Sequence, residues 1–229
     1  MKAMILAAGR GERMRPLTDV LPKPMLEVAG KPLLEHHISK LVAAGITEIV
    51  INLAWLGEKI EQYFQQGEKF GAHITYSWER SGALETAGGI IKALPLLSAD
   101  NEAFLVVNGD IYCDFDFSAL PLLADQTQAH FWLVDNPEHH PQGDFLLEGH
   151  SLANLDDAKS KASQSYTFSG IGMYKPSFFA EHLNQQVQAL APLMRKAIAQ
   201  HQVTGQKLPG LWTDVGTPER LAQLNENVR

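Results

Sequence analysis

The stretch LAAGRGERMRPLTDVLPKPM, residues 6–25, packs two glycines, three arginines and a lysine into a short loop. It follows an apolar run at residues 2–7 that predicts a strand. Gly9 and Gly11 remove the side-chain obstacle, so a backbone here can approach a phosphate with its N–H groups. Two better-known phosphate loops do not fit. The dinucleotide pattern G-x-G-x-x-G needs a third glycine where this chain has Met14, and Pro16 disfavours a helix starting there. The pattern G-x-x-x-x-G-K-[ST] is absent. Further on, Pro22 and Pro24 flank Lys23 and predict a stiff, extended backbone that pre-places its charge. The plainer alternatives are an ordinary glycine turn and a solvated lysine.

The rest of the chain gives this loop its contrast. The 229 residues carry a formal net charge of -7, yet residues 1–31 hold six basic and three acidic side chains, a local +3 that leaves -10 elsewhere. An acidic body with a small basic island suits a small polyanion and argues against nucleic acid. The hydrophobic share is 45%, enough for a sizeable core. Cys113 is the only cysteine, which excludes an intrachain disulfide and fits a reducing compartment. No segment reaches the length of a membrane span and the first apolar run is too short for a signal peptide, so the expectation is a cytoplasmic protein with no membrane partner.

Periodicity predicts alternating strands and helices in the first half. Strands are expected at 2–7, 48–53, 73–77 and 103–108. Helices are expected at 32–44, 56–66 and 86–94, the last ended by Pro95. This order implies an α/β fold with a parallel sheet and right-handed crossovers. Ligands of such sheets sit beyond the carboxyl ends of the strands, where the glycine loop and Asp110 both fall. In the second half, strands are expected at 129–134 and 166–174 and helices at 191–201 and 217–227. Residues 135–165 read as a polar lip over the pocket. One domain, 1–229, is the simplest reading, with 1–110 as its regular first part and 111–229 as its less regular second part.

The stretch G-x-G-x-R-M-x-P-L-T followed by P-K-P resembles the signature of the sugar-1-phosphate nucleotidyltransferases. The resemblance continues in order through LETAGG (84–89), VNGD (107–110), FSG (168–170) and WTDVGTPE (212–219). It implies a Rossmann-like nucleotidyltransferase fold with a mixed, mostly parallel central sheet flanked by helices. It also implies transfer of a nucleotidyl group from a nucleoside triphosphate to a sugar 1-phosphate, with release of pyrophosphate. The form of the loop and the Glu in LETAGG are most similar to a short bacterial branch acting in cell-wall recycling, with UTP and the hexose 1-phosphate of N-acetylmuramic acid as substrates. Transfer of UMP or GMP to glucose or mannose 1-phosphate is the alternative. A sensor on the same fold would be expected to lose Arg13, Lys23, Asp110 or Asp214, and all four are present.

The resemblance assigns roles by position. Arg13 is expected to grip the β and γ phosphates, where its planar fork suits phosphate. Lys23 is expected near the α phosphate. Asp110 and Asp214 are expected to share one Mg²⁺, which takes few carboxylates plus phosphate oxygens and water. The physics asks for this charge: a sugar phosphate approaches a triphosphate with about four negative charges, and each unit pair at ~4 Å costs roughly 4 kcal/mol at an effective dielectric near 20. No general base is required, since a sugar phosphate is already ionised. Leu6, Ala8, Gly9, Gly11, Glu79, Ala83 and Gly88 are expected on the nucleotide side, with Glu79 facing the base. Asn108, Gly143, Asp144 and Ser169 are expected on the sugar side, and Lys159 or Lys161 could supply a cation there. The pairs His36-His37 and His139-His140 lack zinc spacing, and Cys113 lacks a nucleophile's partner. A monomer or small homo-oligomer is expected.

Overall fold

Strand β1 (Ala3–Leu6) is buried along nearly its whole length between two parallel neighbours, which is why it reads as an unbroken apolar run. In this computed structural model the described residues are 1–229 except 81, 83, 100, 158–163, 185–186 and 229. After β1 come α1 (Leu17–Val20), a small hairpin of β2 (Glu27–Val28) and β3 (Lys31–Pro32), and α2 (Leu33–Ala43). Then follow β4 (Glu48–Leu53), α3 (Gly57–Phe64), β5 (His73–Trp78), α4 (Glu85–Leu97), β6 (Phe104–Asn108) and β7 (Ile111–Cys113). The second half holds β8 (Ala129–Val134), β9 (Phe145–Glu148), β10 (Ser151–Asn154), β11 (Ser165–Tyr174), α5 (Leu190–Ala199), β12 (Val203–Lys207), β13 (Trp212–Asp214) and α6 (Pro218–Asn227).

One nine-stranded sheet runs through both halves in the order β5-β4-β1-β6-β11-β8-β12-β10-β9. The first four strands are all parallel. Beyond β6 the pairings turn antiparallel, apart from β12 on β8. β9 also pairs with β11, so β11, β8, β12, β10 and β9 close into a ring of pairings. The ten-residue β11 makes this possible by changing partners along its length. Ser165 and Tyr166 pair with β9, while Ile171 to Tyr174 pair with β6. The switch falls at Gly170, where φ is +83° and the register against β8 shifts. A Cβ at Gly170 would lie 2.8 Å from the Asn108 amide, so glycine also makes room for the end of β6.

Apolar clusters fill both faces of the sheet, with α2 and α3 on one side and α4 and α5 on the other. A third, small cluster joins Met14, Leu26, Val28 and Leu33 to Val215 and Leu224. Met14, the residue that spoils the dinucleotide pattern, is fully buried there and ties the glycine loop to the start of α6.

Three sequence expectations need correction. Pro95 lies inside α4, which runs on to Leu97; only one i→i−4 bond is lost so close to the helix end. The polar segment 135–165 contains β9 and β10, four-residue strands too short to show a period and joined by Gly149 at φ +61°. Lys23 opens a 3-10 turn (Lys23–Met25) and is not extended. Only Pro22 is extended, and Pro24 fits the second turn position because its missing N–H is not needed there.

His37, on α2, is buried, and its Nε2–H donates to the Ile111 carbonyl at 2.8 Å. Burial holds His37 down to about 4, and does the same to His130 on β8. Between pH ~6.5 and about 4 the unfolded chain therefore takes up protons that the native state refuses, so stability is full above that window and is lost as pH falls through it. The loss for His37 should be on the order of 3 kcal/mol at the bottom of the window. Urea unfolding midpoints should drop between about pH 7 and about pH 5, and His130→Gln should remove part of the drop. A flat wild-type profile would mean that both rings protonate freely in the native state.

Candidate active site

The carboxyl ends of β1, β4, β5 and β6 open onto one cavity of about 230 Å³. Its walls are the backbone of Leu6 to Gly9, then Lys23, Asn52, Glu79, Glu85, Asn108 and Asp110. Gly9 has nothing within 4 Å of where a Cβ would stand, so its backbone faces open space. It borders both this cavity and a crevice of about 270 Å³ that also holds Arg13, Lys23, Asp110 and Gly216. Gly11 is required for two reasons. Its φ is +68°, and a Cβ would sit 3.0 Å from the Thr18 methyl and 3.2 Å from the Lys23 Cβ. The Thr18 hydroxyl donates to the Gly11 carbonyl at 2.8 Å and holds the loop down over Lys23.

The four cations of the loop are in different states. Arg10 pairs with Glu12 at 2.5 Å and stacks on Trp55, 3.8 Å from the ring centre. Arg15 pairs with Asp19 at 2.7 Å. Lys23 is buried, its Nζ 2.5 Å from an oxygen of Asp110. Arg13 is exposed to the crevice and makes no ion pair or side-chain hydrogen bond among the described residues. It is the cation that can take an anion without first breaking a contact.

Asp110 and Asp214, far apart in sequence, are brought together by a two-stranded ribbon. β7 and β13 pair antiparallel with Asp214 opposite Ile111, and the Val215 N–H donates to the Asp110 carbonyl at 2.8 Å. The two carboxylates thus stand at one end of the ribbon. Asp214 accepts from Arg220 Nη1 with both oxygens at 2.6 Å, and His139 Nε2 lies 3.2 Å from it. Residues Asp135, Pro137, Glu138 and His139 of the polar segment border the cleft at Asp214, away from the cavity at the strand ends.

On the base side, Glu79 is buried rather than a surface charge. One of its oxygens accepts from Asn52 Nδ2 at 2.7 Å and the other from the Leu84 N–H at 3.1 Å. Asn52 in turn accepts from the Ala7 N–H at 2.8 Å. Gly89 makes room for this circuit, since a Cβ there would be 2.6 Å from Glu79. Gly88 is buried in α4, its N–H donating to the Gln188 carbonyl at 3.0 Å. Leu6 and Ala8 both border the cavity, and Ala8 with Glu79 separates it from a wider cleft of about 770 Å³ edged by Trp55 and Trp78. Ala83, Lys159 and Lys161 lie outside the described residues. Glu85 opens α4 at φ +57°, a left-handed conformation that costs a non-glycine residue on the order of 1 kcal/mol or more, and borders the cavity of Lys23 and Asp110.

On the sugar side, Asn108 borders the cavity. The other three expected residues are committed within the protein. Gly143 has φ +66° and leaves no room for a Cβ, 2.5 Å from Asn136. Asp144 accepts from the Phe168 N–H at 2.8 Å and lies 3.1 Å from His140. Ser169 is fully buried, its hydroxyl accepting from the Ile171 N–H at 3.2 Å. Its carbonyl accepts from Trp212 Nε1 at 2.8 Å, which steadies β13. Sequence reasoning missed Asn52 and Arg220. The first shows as the one polar residue within the apolar run 49–53. The second shows as a cation in a first helical turn, where the helix dipole favours acids. Cys113 is buried, and burial pushes its thiol up, away from nucleophilic use. Among the described residues no three His, Cys, Asp or Glu side chains gather around one point.

The model of the nucleotidyl transferase family matches residues 2–229. The chain belongs to the nucleotidyl transferase family. It is 52% identical over 227 residues to the N-acetylmuramate alpha-1-phosphate uridylyltransferase of Neisseria meningitidis serogroup B, spanning 97% of this chain and 96% of that one. It is 34% identical to the protein of the same name from Caulobacter vibrioides, over 95% and 92% of the two chains. In fold it is similar to a putative glucose-1-phosphate thymidylyltransferase from Bacillus anthracis, with a TM-score of 0.82 at 22% identity over 100% of this chain and 95% of that one. The nucleotidyl transferase family typically uses a divalent metal. The donors present fit such an ion: two carboxylates on neighbouring strands are hard oxygen ligands, and phosphate oxygens and water can complete the shell. Lys23→Ala in this nucleotidyl transferase should lower turnover by at least ~10-fold, on the order of 1.4 kcal/mol of barrier. Steady-state pyrophosphate release measures it, and a near-normal rate would remove Lys23 from the transition state.

Proposed function

We propose that the protein transfers UMP from UTP to N-acetylmuramic acid 1-phosphate, giving UDP-N-acetylmuramic acid and pyrophosphate, in the cytoplasm and as a step of cell-wall recycling. The observation that carries this is the likeness to the Neisseria uridylyltransferase along nearly the full length of both chains. The geometry supports the reaction type. An oxygen of the sugar phosphate attacks the α phosphorus, and the bond from that phosphorus to the oxygen bridging it to the β phosphate breaks. No proton has to be removed from the attacking oxygen.

Arg13, uncommitted at the crevice, grips the β and γ phosphates and follows the charge onto the leaving pyrophosphate. Lys23, held at the wall shared by crevice and cavity, neutralises the α phosphate and the incoming sugar phosphate. The backbone N–H groups around Gly9 face the phosphates. Asp110 and Asp214 hold Mg²⁺, which supplies charge neutralisation and a template for the phosphates when bound. Leu6, Ala8, Gly11, Ala83 and Gly88 shape the nucleotide side with Glu79, and Asn108, Gly143, Asp144 and Ser169 shape the sugar side. Residues 1–110 provide the nucleotide part and 111–229 the sugar part of one domain.

The test is pyrophosphate release with Mg²⁺, crossing UTP, GTP, dTTP and CTP with the 1-phosphates of N-acetylmuramic acid, N-acetylglucosamine, glucose and mannose. UTP with the muramic sugar should dominate, and Asp110→Asn should abolish that turnover while the fold survives. Dominance of another pair would replace the substrates. Silence of every pair with nucleotide still bound would make the protein a sensor on the same fold.

A further inference from the structure

Each proposed metal ligand carries a resident cation: Lys23 on Asp110 and Arg220 on Asp214. The Arg220 contact is the more complete. Nη1 donates to both oxygens of Asp214 at 2.6 Å, and its side chain is only 17% exposed. His139 closes the third side, its Nε2 2.7 Å from Nη1 and 3.2 Å from Asp214. The backbone is shaped for this contact. A Cβ at Gly216 would fall 2.0 Å from Arg220 Nη2 and 2.9 Å from Asp214, so any side chain there would push the guanidinium away. Thr217 caps α6 and accepts from the Arg220 N–H at 3.4 Å, which fixes where the arginine starts.

We propose that Arg220 is the internal counterion of Asp214 in the metal-free protein, and that it yields Asp214 to the divalent ion only as the anionic substrate arrives to receive its charge. Two carboxylates at one ribbon end repel unless each is neutralised. A guanidinium nitrogen shared by both Asp214 oxygens blocks an ion from that face, and its positive charge repels the ion. The triphosphate removes both obstacles, because its oxygens can take the guanidinium and complete the metal shell. Arg220 is thus a positioning residue that makes the metal enter with the nucleotide rather than before it. The inference rests on the reading of Asp110 and Asp214 as metal ligands.

Binding of Mn²⁺, followed by electron paramagnetic resonance without substrates, tests it. Arg220→Gln should bind Mn²⁺ roughly 5-fold more tightly than wild type, the scale of one partly exposed ion pair, while Arg220→Lys should stay near wild type. With a non-hydrolysable UTP analogue present, Asp214→Asn should bind Mn²⁺ more weakly than wild type. Unchanged or weaker substrate-free binding in Arg220→Gln, with Asp214→Asn still weakened beside the analogue, would overturn the counterion role alone. Wild-type binding in Asp214→Asn beside the analogue would overturn the ligand reading and the proposal with it. A wild-type measurement guards against a variant that fails to fold. The ¹⁵N side-chain resonance of Arg220, identified by its loss in Arg220→Lys, should be slow to exchange without metal. It should become fast on adding Mg²⁺ with a non-hydrolysable UTP analogue, and a signal that stays locked in the loaded protein would overturn the proposal.

Discussion

Two acidic side chains, Asp110 and Asp214, are set at one end of a short ribbon, and their mutual repulsion opposes it. The main-chain pairing of β7 with β13 fixes their positions, and the ion pairs with Lys23 and Arg220 offset the repulsion. Neither strand could form alone, because three residues cannot bury a face. The ribbon is held from outside. His37 donates to the Ile111 carbonyl at the start of β7, the Ser169 carbonyl accepts from Trp212 toward the other end of the ribbon, and the cluster around Met14 and Val215 fastens the end that carries the two aspartates. Helix α2, strand β11 and the glycine loop therefore all contribute to the position of two carboxylates they do not contain.

The same constraint explains how positive charge is distributed. A cation meant for phosphate is useful only if its present partner is easily left. Arg10 and Arg15 are spent on local pairs with Glu12 and Asp19 and shape the loop instead. Lys23 is buried against Asp110, where it is pre-placed, and Arg13 is left exposed at the crevice. An acidic protein thus places four of its 19 lysines and arginines on one loop, and only two of the four border the crevice.

Legibility in the sequence followed length and burial. The strands at 48–53 and 129–134 have the bounds their apolar runs suggest, because buried strands long enough to show a run leave a clear pattern. The glycine loop was readable because the backbone demand at Gly11 admits few other residues. β7, β9, β10 and β13 were not readable: strands of three or four residues hold no period, and their pairing is decided by distant chain. The same holds for the site. Arg13, Lys23, Asp110 and Asp214 lie in quotable motifs. The contact of Arg220 with Asp214 depends on a helix cap and a glycine turn, and the Asn52–Glu79 pair joins different strands, so neither could be seen before the fold was known.

The circuit from Ala7 through Asn52 and Glu79 to Leu84 has a thermodynamic consequence. It ties three strand ends and the entry of α4 through side chains that are themselves buried. The rotamer freedom of those groups is therefore lost once, during folding, and is not lost again when a ligand enters the cavity. The wall of the cavity behaves as part of the core that happens to face a ligand. Selectivity at that wall is then set by the packing of the fold itself, and a substitution in the circuit is felt in the stability of the fold as well as in binding.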